Sequence, residues 1–172
     1  MTRTLFTYIL HFIILCLLQL FVLNNIFLFD LIHPMIYFYL IIILPFNTRK
    51  NLVLVFAFII GLVVDVFSNT YGLHTFSTVL IAFIRIYLLS ALLQDEITDP
   101  FIAPHIWILG AQRFLVMIVI MVFVHHLFLH FMQAYAFRDF WFTLLKIALN
   151  TLFSSLMILF YELSFFYNVR KQ

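Results

Sequence analysis

Asp65, Arg85 and Glu162 are ionisable residues set inside long apolar runs, and they are where this chain could do chemistry. A charge in hydrocarbon costs about 2.5 to 3.5 kcal/mol on the insertion scale, so it persists only beside a partner group or within reach of water. Asp65 admits two readings, a proton or substrate ligand and a structural anchor near the outer interface. Its place about three residues, some 5 Å, from the end of its run favours the anchor. Arg85 lies about 12 residues into the next run, some 18 Å deep and close to a bilayer centre. Glu162 is within about 8 Å of that depth, against about 13 Å for Asp65, so an Arg85–Glu162 ion pair is expected.

His125, His126 and His130 form a further cluster, and 126 with 130 at i, i+4 has the spacing to grip a metal. No acid or thiol accompanies them on that helix, and histidines near a helix end are commonly interfacial; no metal and no cofactor is expected. Phosphate-cradling glycine loops, H-E-x-x-H and paired C-x-x-C are absent from the sequence. The single cysteine, Cys16, excludes an intrachain disulfide. The longest segment between apolar runs, residues 94–112, has 19 residues, too few for a catalytic domain of about 50 or more. The chain is expected to bind, conduct or scaffold, not to be an enzyme.

The elements that must position these residues are membrane helices. The 172 residues are 66% hydrophobic and 9% charged, with a mean hydropathy of +1.18, whereas a soluble domain carries about 25% charged residues. The expectation is an all-α integral membrane protein, one domain over residues 1–172. Its six transmembrane helices are placed at about residues 5–23, 26–45, 52–68, 72–93, 113–132 and 142–166. Pro34 interrupts the second, leaving about 12 residues, some 18 Å of helix, which is too short to span. A helix kinked at His33–Pro34 is expected there in preference to a re-entrant piece. The first run has no small-x-small cleavage site before Asn24 and Asn25 and reads as a retained helix.

Arg3, Arg49, Lys50, Arg113, Arg170 and Lys171 collect on one side of these spans, against Arg138 and Lys146 on the other. By the positive-inside rule both termini are expected in the cytoplasm, and an even number of spans agrees. The nine Lys and Arg, at a net charge of +2, are too scattered to form a surface for nucleic acid. On the third run Ala57, Gly61 and Asp65 recur every fourth residue and share one face, where small residues let another helix approach closely.

Residues 61–83 go further. They resemble the hallmark of the rod-shape-determining MreD family, G-x-x-x-D-x-x-S ending a third helix, a short turn, then G-L-H opening a small-residue helix; Gly61, Asp65, Ser68, Gly72 and His74 fall on it. Chain length, short loops and Pro34 followed by Tyr37 and Tyr39 fit as well, while Asp30, His33 and the 24 phenylalanines depart from the pattern. The resemblance implies a non-enzymatic subunit of the bacterial cell-elongation complex in the inner membrane. Its implied partners are membrane lipid, an MreC-like protein, a RodA-type glycan polymerase with its class B penicillin-binding protein, and MreB indirectly. It also implies a fold like the substrate-binding subunit of energy-coupling-factor transporters, with Ala57, Gly61, Asp65, Gly72 and His74 as the packing and partner-binding element. The competing expectation is a solute-binding membrane subunit of a vitamin-type transporter, which needs a cavity with convergent polar groups near the midplane, where only Arg85 is placed.

Overall fold

The computed structural model describes residues 2–26, 31–93, 101–134 and 139–166. In hydrocarbon a helix satisfies every backbone N–H and C=O within its own segment, which is why the proline-free apolar runs coil. Helix α1 (Thr2–Leu17) loosens into a π turn (Leu18–Val22) and a 3-10 turn (Leu23–Asn25). There follow a one-turn α2 (Tyr39–Ile42), α3 (Lys50–Ser68), α4 (Leu73–Leu93), a one-turn α5 (Ile106–Leu109), α6 (Ala111–Gln133) and α7 (Phe140–Phe165). Among the described residues no β-strand occurs. Helices α3, α4, α6 and α7 are four helices long and apolar enough to cross a membrane, and they match the spans expected near 52–68, 72–93, 113–132 and 142–166. Asp30, Arg138, Arg170 and Lys171 lie outside the described residues.

Helix α3 packs on α4, α4 on α6 and α6 on α7. Their outward faces stay apolar, with Leu62, Val66 and Phe67 of α3 and Leu152, Leu156 and Phe160 of α7 exposed. A soluble protein rarely exposes so much contiguous apolar surface, whereas lipid tails solvate it. Inside, the core is centred on the short segment before α3: every residue from Met35 to Leu44 is buried.

That segment corrects the expected second span. The described residues of 26–45 do not form a kinked helix: 32–36 are non-helical, and the only α-helix among them is the four-residue α2. Leu31 lines the same cavity as Ser68, the C-terminal residue of α3, and Lys50 starts α3 at its other end. Residues 31–49 therefore run the length of α3, mostly without helix. Irregular backbone at such depth is tolerated only where protein covers it and supplies the missing hydrogen bonds. Gln19 Oε1 accepts from Ile36 N at 2.8 Å, Asn150 Oδ1 from His33 N at 2.6 Å and Ser154 Oγ from Met35 N at 2.9 Å. Asn150 Nδ2 returns a bond to Leu31 O at 2.9 Å and Gln19 Nε2 one to Pro34 O at 3.3 Å. Pro34 breaks the helix, and three side chains from α7 and the π turn replace the ladder it removes.

In the α3–α4 hairpin the two helices pack backbone to backbone. A Cβ at Gly61 would overlap Thr75 Cα and sit 2.8 Å from Thr75 N, so only glycine admits α4 here. The turn uses positive φ at Asn69 (54°), Tyr71 (47°) and Gly72 (93°).

Candidate functional site

A helix N-terminus leaves its opening N–H groups without intrahelical partners. At α4, Leu73 N donates back to Thr70 O at 3.1 Å, and Phe76 N makes the first intrahelical bond, to Gly72 O at 2.9 Å. The Asp65 carboxylate takes the two between them, accepting from His74 N at 3.0 Å and Thr75 N at 2.8 Å. Its oxygens accept further bonds from the Thr70 and Thr75 hydroxyls, each at 2.6 Å. A carboxylate at a helix N-terminus is also favoured by the helix dipole. Asp65 is 4% exposed and anchors α4 to α3, which is the reading that its place in the sequence favours. Ala57, also buried, lies on the same α3 face as Gly61 and Asp65.

His74 then reaches across the molecule. The Tyr37 hydroxyl lies 3.0 Å from His74 Nδ1 and 2.6 Å from His125 Nε2, joining α4, the non-helical segment and α6. Phe38 stacks on His125 with ring centroids 4.2 Å apart. His126 Nε2 bonds Ser154 Oγ at 3.0 Å, and its ring stacks on His130 at 5.5 Å. These histidines are not interfacial as expected: His125 and His126 are fully buried, because the segment crossing between the helices closes over them. Among the described residues no group of three or more His, Cys, Asp or Glu is placed to hold a metal.

A cavity of about 520 Å³ opens at this end of the bundle, within the range of small-molecule sites. His33, His74, His130, Gln133 and Lys146 line it together with Asn24 and Ser68. Asn24 and Ser68 are joined to each other at 3.1 Å, which ties the end of the π and 3-10 turns to the end of α3.

Toward the opposite end lies a second polar layer. Glu162 is fully buried and accepts from the Tyr39 hydroxyl and from Ile106 N at 2.9 Å, with His105 Nδ1 at 3.1 Å. Beside it, His11 Nδ1 bonds the Tyr161 hydroxyl at 2.7 Å. Arg85 donates to the carbonyls of Ile42 and Leu44. The expected Arg85–Glu162 pair is therefore corrected, because among the described residues the ion pair made by Glu162 is with His105. The physical reason is the second segment again. As a helix it would have kept its carbonyls to itself, whereas the end of α2 leaves them open to the guanidinium.

Of the residues singled out from the sequence, the structure brings Gly61, Asp65, Gly72 and His74 together in one hairpin and gives Arg85 and Glu162 different partners. Sequence reasoning missed Gln19, Tyr37, His105, Asn150 and Ser154. Asn150 and Ser154 were findable, since they recur at i, i+4 on one face of α7 with Ile158. Polar residues in apolar runs need partners even when uncharged. No protein-family model, no curated protein and no solved structure matches this chain.

Proposed function

We propose that this chain is a non-catalytic multi-pass subunit of the bacterial cell-elongation machinery, similar to MreD. The observation that supports it most is the α3–α4 hairpin. The residues that carry the resemblance form one physical unit: Gly61 admits the α4 backbone, Asp65 caps α4, Gly72 supplies the turn and His74 ties it to the core. In this reading the chain makes six passes through the inner membrane, with residues 31–49 as the second, and both termini are cytoplasmic. The fold would then be akin to that of the substrate-binding subunits of energy-coupling-factor transporters. The exposed apolar faces of α3 and α7 give the partner surface for lipid and for an MreC-like protein, a RodA-type polymerase and its class B penicillin-binding protein, with MreB reached indirectly. Association in lipid rests on close van der Waals packing, since lipid tails are as apolar as the faces they cover.

A solute-binding membrane subunit is the second reading, and the polar cavity at the α3–α4 turn favours it. Copurification of the tagged full chain from its own membranes separates the two. Recovery of an MreC-like protein and loss of rod shape on depletion support the elongation reading. Recovery of an ATPase-driven coupling subunit, with normal shape on depletion, supports the transport reading.

A further inference from the structure

The cavity at the α3–α4 turn is lined by hydrogen-bond donors and a cation, with no carboxylate among its described lining residues. Lys146 is half-buried there, its ammonium 4.8 Å over the Phe142 ring, and no acid among the described residues pairs with it. His130 Nδ1 lies 3.2 Å from Gln133 Oε1, an atom that can only accept, so the imidazole donates and the Gln133 amide N–H groups are left to the cavity.

The Tyr37 hydroxyl has three partners, His74 Nδ1, His125 Nε2 and Thr78 Oγ1, and one proton to give, so at least one imidazole donates to it. His125 Nδ1 is buried with no partner, and an empty lone pair is less costly there than a stranded N–H. His125 therefore carries its proton on Nε2 and donates to the Tyr37 hydroxyl, which His74, a lining residue of the cavity, shares from the other side. Asp65, bonded to the His74 backbone, has both oxygens taken by four donors.

We propose that this cavity binds an oxyanion, with Lys146 as its counter-ion and Gln133 as a neutral donor. An anionic phospholipid headgroup and a free phosphate share this chemistry. The inference does not depend on the elongation or the transport reading, since either assembly would accommodate it.

The test uses the full chain purified in a neutral detergent, titrated calorimetrically with inorganic phosphate and, by native mass spectrometry, with phosphatidylglycerol against phosphatidylcholine. Saturable phosphate binding that displaces phosphatidylglycerol identifies a free anion. Selective retention of phosphatidylglycerol that phosphate does not displace identifies a headgroup. In either case Lys146→Met should weaken binding about tenfold, the loss of one charge-assisted contact, with the unfolding temperature of the unliganded protein unchanged. Gln133→Leu should weaken it less, and Lys50→Met, at the far end of α3, should leave it intact. Absence of both phosphate and selective phosphatidylglycerol binding, or equal binding by wild type and Lys146→Met, would overturn the proposal.

Discussion

Asn150 of α7 closes a two-point clamp on the backbone around His33, accepting from His33 N at 2.6 Å and donating to Leu31 O at 2.9 Å. It is the simplest case of a rule that runs through this bundle: the polar side chains of the long helices serve the backbone of the segment that is not a helix. Asn150→Leu is expected to strand both groups, at about 1 to 3 kcal/mol each. Unfolding of the purified chain in detergent measures it, and an unchanged midpoint would place residues 31–33 elsewhere.

Asp65→Asn is expected to destabilise the protein, not to preserve its fold. The amide keeps one acceptor oxygen and presents an N–H2 to the other pair of donors, so either His74 N or Thr75 N loses its partner. A loss of about 1 to 3 kcal/mol follows in the same unfolding experiment. A variant as stable as wild type would return Asp65 to the list of partner-binding candidates.

Gly61→Ala adds a single carbon, and that carbon meets Thr75 backbone atoms that cannot rotate away. Overpacking of this kind costs about 1 to 3 kcal/mol, and Gly61→Leu should abolish the folded monodisperse peak on size exclusion in detergent. Helix propensity alone predicts the opposite sign for the alanine variant, since alanine is the better helix former by about 1 kcal/mol.

Exchanging Arg85 and Glu162 discriminates between a charge pair and two separate sites. Each residue is bound to groups the other cannot replace: Arg85 to the Ile42 and Leu44 carbonyls, Glu162 to Tyr39, His105 and Ile106 N. The double variant Arg85→Glu, Glu162→Arg is therefore expected to fold no better than either single variant. Recovery of folded yield in the double variant would restore the direct pair.

The hairpin and the four long helices are legible in the sequence because they rest on local rules. Hydropathy over about 20 residues marks a span, and Gly61, Asp65 and Gly72 each do something their residue type alone does well. The segment around Pro34 is not legible in this way. Its conformation depends on hydrogen bonds from Gln19, Asn150 and Ser154, up to 119 positions away in the chain, and no local window contains them. The Arg85–Glu162 expectation failed for a related reason. Depth along ideal helices was a sound measure, yet it counted only side chains as partners and left out the open carbonyls at the end of α2. The burial of His125 and His126 was hidden likewise, because it is the non-helical segment, through Tyr37 and Phe38, that covers them.

The central claim is that residues 32–36 cross the protein interior as irregular backbone held by side chains of α7 and the π turn. Backbone carbon chemical shifts and amide exchange of the labelled chain in detergent micelles test it directly. Non-helical shifts are predicted at Ile32, His33, Met35 and Ile36, with slowly exchanging amides at His33, Met35 and Ile36; the His33 amide becomes fast in Asn150→Leu, that of Met35 in Ser154→Ala and that of Ile36 in Gln19→Leu. Helical shifts running unbroken from Ile32 to Leu44, or fast exchange at those amides in the wild-type chain, would contradict it.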